Sequence, residues 1–284
     1  MPFISSQGAS IHYQIKGKGV PLIFIHPPAM GAATFYEQRW LARDFCTVMM
    51  DARGHGYSSS GKGTLTVEEW AQDICNLVDE LELGRVVLCG YSCGGSVALE
   101  FALRWPEKTA GVVLAGGFPV VCTTLLRQEF ETGIWICNKG WLGLLGRMLS
   151  VANSHKEQHE QAIYNTVRTS HAPLLSSIYT SALHYSCTAT LSQLEAPLLL
   201  IYGSRDWYVH YYQYLFYKYA VRAPKDVVFV SGIGHQVPTL TPDSYNAIVS
   251  RFVRENFGGQ APAFFTQFVP NKGNQRRELE KELT

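Results

Sequence analysis

An α/β fold with a mostly parallel, eight-stranded sheet flanked by helices is the architecture this sequence predicts. Three observations carry that prediction. The runs "VPLIFIH" (20–26), "CTVMMD" (46–51), "RVVLCG" (85–90), "GVVLAGG" (111–117), "PLLLIYG" (197–203) and "DVVFVSG" (226–232) are continuously apolar, as strands covered by helices on both faces must be. Stretches with helical periodicity separate most of these runs, the strand–helix–strand alternation of a doubly wound sheet. Ahead of them "FISSQGASIHYQIKG" (3–17) partly alternates, which predicts an antiparallel hairpin at one edge.

Each helix has its own signals. "LTVEEWAQDICNLVDELEL" (65–83) opens with Thr66 and Glu69, a T-x-x-E capping box. "SCGGSVALEFALRWPEK" begins at Ser92 and is closed by Pro106. "YYQYLFYKYA" (211–220) predicts a helix packed between sheet and solvent. "TPDSYNAIVSRFVREN" (241–256) carries a Thr cap, a proline at its first helical position and Gly258 just past its end. Residues 118–196 contain no strand-like run but many bulky residues, among them Phe130, Ile134, Trp135, Trp141, Leu142, Leu145, Met148 and Leu149. A structureless loop of that length is unusual, so a helical insertion is expected there. The division is therefore 1–117 and 197–258 for the core, 118–196 for the insertion and 259–284 for a tail. That tail is expected to pack its Phe residues on the body and expose "RRELEKEL" as a short helix.

Composition excludes several classes. The chain has 284 residues, 46% hydrophobic and 17% charged, with a formal net charge of +1. No global field would attract nucleic acid or an anionic membrane, so a small, weakly charged partner is expected. Seven cysteines, an odd number, include Cys46, Cys75, Cys89 and Cys137 within apolar segments, which suits reduced, buried thiols better than a disulfide framework. The start "MPFISSQGAS" lacks the features of a signal peptide, and no apolar stretch reaches the ~18 residues of a membrane span. The expectation is a soluble, cytoplasmic protein, with the oligomeric state open.

Reactive groups in a parallel sheet gather beyond the C-terminal ends of its strands. Gly90-Tyr91-Ser92-Cys93-Gly94 fits G-x-S-x-G between a strand and a helix, and its glycines permit the cramped turn that lifts a serine hydroxyl. The bland alternative is a serine N-cap. Asp206 lies three residues past the run ending at Gly203, and His235 follows the last run in "SGIGHQVP". A serine needs a base, and the imidazole needs a carboxylate to fix its tautomer. Ser92, Asp206 and His235 occur in the chain order expected for a strand–turn–helix nucleophile.

With "IHPPAMGAATF" (25–35) and "DARGHGYSS" (51–59), the chain resembles the α/β-hydrolases of the proline-iminopeptidase, esterase and carbon–carbon hydrolase type, over roughly residues 3–256. The resemblance implies the α/β-hydrolase fold, Ser92 as nucleophile, His235 as base, Asp206 as its orienter, and a lid formed by 118–196. Asp51 and Arg53 are expected to brace a turn. The sequence departs from the family at one place. Relatives read His-Gly-x at 26–28 and use the third residue's N–H to stabilise the oxyanion, but Pro28 has none. Cys93 N–H supplies one donor, and the second is expected from Ala29 by a one-residue shift of the loop.

Other signals are set aside. "GYSSSGKG" (56–63) has Gly63 where a P-loop needs Ser or Thr. "HKEQH" (155–159) spaces two imidazoles as metal ligands would be, but without a third ligand it reads as a solvated helix face. His26 and His55 are expected to be structural. Phe35, Phe118, Trp135, Trp141 and Trp207 are expected to line a greasy pocket under the lid. The functional expectation is a hydrolase without cofactor or metal, cleaving a small, largely apolar ester, thioester or related acyl compound through an acyl-enzyme. A carbon–carbon hydrolase or perhydrolase on the same triad is one alternative. A slow-turnover ligand receptor or signalling regulator that retains the triad is the other.

Overall fold

The computed structural model describes residues 2–258. The expected features of residues 259–284 lie outside this range. Eight strands form one sheet: β1 (Phe3–Ser6), β2 (Ala9–Lys16), β3 (Pro21–Ile25), β4 (Cys46–Met50), β5 (Val86–Tyr91), β6 (Thr109–Ala115), β7 (Leu198–Gly203) and β8 (Lys225–Val230). Their order is β1-β2-β4-β3-β5-β6-β7-β8. The β1–β2 hairpin joins antiparallel through β2 to β4, and β3 through β8 run parallel.

The central strands are buried on both faces because their neighbours cover both. On one face Leu88, Val112, Leu114 and Leu200 pack under helices α1 (Val67–Glu80) and α2 (Gly94–Arg104). On the other face Val87, Cys89, Val113 and Ile201 meet Phe35 and Leu41 of a 3-10 segment (Ala32–Arg43). One expectation fails at β8, whose residues are intermediate or exposed throughout. It is an edge strand, so it has only one strand neighbour and helices do not seal it; Phe229 is 45% exposed.

The capping box of α1 forms as expected. Thr66 Oγ1 accepts from Glu69 N at 3.1 Å, and Glu69 Oε2 accepts from Thr66 N at 2.8 Å. Four helices fill most of the insertion: α3 (Thr124–Asn138), α4 (Leu142–Asn153), α5 (Glu157–Thr169) and α6 (Ala172–His184). Then follow α7 (Gln213–Tyr219), the single turn α8 (Val237–Leu240) and α9 (Pro242–Phe257). In α7 Phe216 is buried while Tyr214 and Tyr217 are exposed, the half-covered helix the tyrosine-rich stretch predicts. Thr241 precedes α9, but its hydroxyl donates back to Val237 O at 2.9 Å instead of capping α9. All seven cysteines are free thiols, and only Cys122 is exposed.

Candidate active site

Two loops and an elbow meet at the C-terminal edge of the sheet. The elbow is the sharp turn from β5 into α2. Ser92 has φ +53°, a left-handed conformation that costs a non-glycine residue on the order of 1–3 kcal/mol and is found where surrounding structure enforces it. The enforcement is steric. A Cβ on Gly90 would lie 2.6 Å from Gly94 O, and one on Gly94 would lie 2.2 Å from Ile25 O. Only glycines let α2 start this close to β5 and β3. Ser92 N also donates to Ala115 O at 2.8 Å, which ties the elbow to the end of β6.

His235 and Asp206 form a pair from two different loops, with Nδ1 and Oδ2 2.7 Å apart. Asp206 is buried in the turn after β7, and His235 follows β8. The pair is brought to the elbow through Gly116, the residue after the carbonyl that holds Ser92 N: a Cβ there would meet His235 Cε1 at 2.5 Å. The Tyr91 ring lies 5.5 Å from the His235 ring. Burial pulls the His235 pKa down. The Asp206 hydrogen bond and charge, with a further contribution from Glu129, outweigh that and leave it above the ordinary histidine value.

Glu129 on α3 escaped the sequence reading. It accepts a short hydrogen bond from the Tyr208 hydroxyl, and its charge helps to raise the His235 pKa. Asn153 escaped it too. At the end of α4, its Oδ1 accepts from Tyr91 Oη at 3.1 Å and from Thr239 Oγ1 at 3.3 Å. This buried amide ties the insertion to the residue preceding Ser92. No local sequence signal marks either residue, because each becomes significant only when α3 and α4 fold over the sheet.

The oxyanion side departs from expectation. Ala29 N–H is already used: it donates to His55 Nε2 at 3.0 Å, with Ala29 at φ +74°. Met30 N lies 3.4 Å from Pro27 O. The physical reason is a reciprocal exchange between two loops. His55, in the loop after β4, accepts from Ala29, while His26, at the end of β3, accepts from Ala52 N at 3.1 Å. Since both Nε2 atoms accept, both protons sit on Nδ1, where they are donated to Arg53 O and Pro27 O. The rings lie 5.0 Å apart, and His26 packs 4.8 Å from Trp70. Burial, reinforced for His26 by repulsion from His55, holds both imidazoles neutral, and the His26 pKa falls to about 3. Both are structural, as the sequence suggested, and together they spend the amide assigned to the oxyanion.

Asp51 and Arg53 brace the same loop. The Asp51 carboxylate contacts His12 Nδ1 at 2.7 Å and accepts from Ala32 N at 2.8 Å, while Arg53 Nε donates to Asp73 Oδ2 at 2.6 Å. The expected aromatic pocket is not assembled. Phe35 packs on Phe24 in the sheet core, and Phe118 packs with Phe130 and Tyr212. Trp135 and Trp141 meet each other edge to face and are half exposed, as is Trp207. Apolar character identified these residues, but the packing turns the tryptophans outward. In 155–159, His155 is exposed, whereas His159 is buried with Nε2 3.0 Å from Ala33 O, so this is not simply a solvated face. The described residues hold no group of three or more His, Cys, Asp or Glu arranged to bind a metal.

The profile of the serine aminopeptidase S33 family matches residues 33–239. The chain belongs to that family. Its likeness to α/β-hydrolases extends further. A stretch of 113 residues is 31% identical to a putative non-heme haloperoxidase of Mycobacterium phage D29, covering 39% of this chain and 41% of that protein. Another of 109 residues is 32% identical to a 2-hydroxy-6-oxo-2,4-heptadienoate hydrolase of Pseudomonas putida, covering 37% and 40%. The chain thus spans about two fifths of the length of these curated relatives. A thermophilic esterase of Thermogutta terrifontis superposes with a TM-score of 0.76 at 19% identity, over 90% of this chain and 99% of that one. The fold is that of the α/β-hydrolases.

Proposed function

We propose that the protein is a serine hydrolase that cleaves a small, largely apolar ester, thioester or related acyl substrate through an acyl-enzyme. The observation that carries this reading is the His235–Asp206 pair at 2.7 Å, set against a serine held at φ +53° by its neighbours. Ser92 Oγ attacks the carbonyl carbon as its proton passes to His235 Nε2. Asp206 holds the Nδ1 proton and stabilises the imidazolium. His235 then protonates the leaving group, and water, activated by the same imidazole, releases the acyl group. Cys93 N–H, at the start of α2, is the oxyanion donor in this scheme, helped by the positive end of the helix. Residues 118–196 act as the lid.

Pro28 has no N–H and the Ala29 amide is engaged by His55, so the turnover expected is that of a site with one donor. Loss of one donor costs on the order of 10²–10³ in rate. The same observation favours one other reading, a ligand receptor that keeps the triad and turns over negligibly. Fluorophosphonate labelling of the wild type and of Ser92→Ala, with a panel of p-nitrophenyl esters of increasing chain length, distinguishes them. Labelling of the wild type alone together with measurable ester turnover is the expected result. Labelling without turnover transfers the assignment to the receptor, and absence of labelling defeats both.

A further inference from the structure

We infer that Asn153, the last residue of α4, is a positioning residue for both Ser92 and His235, so that the insertion aligns the reacting groups as well as covering them. The inference rests on the reading of this site as that of a serine hydrolase. Asn153 is buried, as are Tyr91 and Thr239, the two core side chains it meets. The orientation of its amide is fixed by chemistry. Nδ2 lies 3.0 Å from Leu149 O, which can only accept, so the other atom is Oδ1 and the hydroxyls facing it donate. Tyr91 Oη donates at 3.1 Å and Thr239 Oγ1 at 3.3 Å.

These two donors lead to the two halves of the proposed nucleophile–base pair. Tyr91 ends β5 and immediately precedes Ser92, and its ring also lies 5.5 Å from the imidazole of His235. Thr239 belongs to α8, four residues after His235. Its hydroxyl lies 3.3 Å from Gln236 O as well, so its one proton serves both acceptors, and through it Asn153 reaches the peptide that follows His235. One amide oxygen therefore bridges the elbow that carries the nucleophile and the loop that carries the base. A core amide that only fastened α4 in place could use any buried donor. This one uses two that flank the reacting groups, and a buried hydroxyl is unfavourable without its acceptor. The separation of Ser92 from His235 is thus set with α4 docked.

Asn153→Leu removes the acceptor at similar size, while Tyr91→Phe and Thr239→Val remove the donors and keep their shapes. Each variant is assayed for kcat and KM on p-nitrophenyl acetate and for the rate at which a fluorophosphonate labels Ser92, with thermal midpoints to establish folding. For Asn153→Leu, kcat and the labelling rate should both fall about tenfold to a hundredfold, with KM changed by less than about twofold. Tyr91→Phe combined with Thr239→Val should lose as much, and adding Asn153→Leu to that pair should cost nothing further. If Asn153→Leu does not fold, the pair alone decides. Wild-type rates in the folded variants, even with a lowered thermal midpoint, overturn the inference, as does a further loss when Asn153→Leu joins the pair. A wild type that the fluorophosphonate does not label defeats the hydrolase reading and the inference with it. A wild type that labels without turning over the ester leaves the labelling rates to decide.

Discussion

Acid should loosen the two loops beside Ser92 through His26. Its side chain is fully buried, and its Nε2 must stay unprotonated to accept from Ala52 N. Its pKa drops from 6.5 to about 3 on folding. A histidine with a depressed folded pKa favours the native state fully above the unfolded value, and that advantage is lost as pH falls from 6.5 towards 3. At pH 4.5 the unfolded imidazole is almost entirely protonated and the folded one almost entirely neutral. The two-unit interval corresponds to about 3 kcal/mol, a sizeable part of a typical total of about 5–15 kcal/mol. Urea unfolding at pH 7.0 and pH 4.5, for the wild type and for His26→Gln, measures it. The variant is less stable at pH 7.0, because it loses packing on Trp70, but its loss on acidification should be smaller by up to about 3 kcal/mol. Carboxylates remote from His26 contribute to acid lability in both proteins and cancel in the comparison. Equal acid losses in the two proteins would refute the assignment of the proton acceptor to His26.

Three further outcomes follow from the same geometry. Asp206→Asn should lower kcat by about 10⁴, because the amide no longer selects the tautomer with the proton on Nδ1; a near-normal kcat on p-nitrophenyl esters would remove Asp206 from its role. Glu129→Gln should move the acid limb of kcat/KM to lower pH, since the proposed mechanism needs His235 neutral and the Glu129 charge raises its pKa, leaving the rate at pH 8 unchanged; an unmoved limb counts against it. Gly116→Ala puts a methyl group 2.5 Å from His235 Cε1 at φ +59°, and should cost on the order of 10² or more in rate while circular dichroism stays native-like; full activity would mean that His235 works from another position.

Legibility in the sequence followed the range of each interaction. The parallel strands were readable because burial on both faces imposes a continuous apolar run, and the capping box because its partners lie three residues apart. The edge position of β8 was not, since "DVVFV" looks the same at the edge as in the middle of a sheet. The positions of Ser92, Asp206 and His235 just beyond strand ends were readable because the fold collects its loops there. The tryptophans of the insertion were misassigned, because apolar character cannot distinguish an inward from an outward face when the supporting helices are themselves apolar. Pro28 revealed that one amide was absent; that His55 takes the next one required knowledge of how the two loops cross.

That crossing makes Pro28 the most informative residue to change. Swinging Ala29 N–H towards the oxyanion would strand His55 Nε2 in a buried site, at a cost of about 1–3 kcal/mol. An oxyanion donor returns about 3–4 kcal/mol, so the exchange comes close to cancelling. Adding an amide at position 28 avoids it, since neither histidine bond is disturbed. Pro28→Gly supplies an N–H at the position where the family resemblance implies an oxyanion donor, at a stability cost of about 1 kcal/mol from the freer unfolded chain. The expected result is a kcat on p-nitrophenyl acetate raised by about 10–10², with little change in KM, since the new bond strengthens as the oxyanion forms. An equal fall in KM with constant kcat would mean that the amide contacts the bound ester rather than the transition state. Unchanged kinetics in a folded variant would place position 28 away from the reacting carbonyl, and the second donor would have to be sought outside this loop.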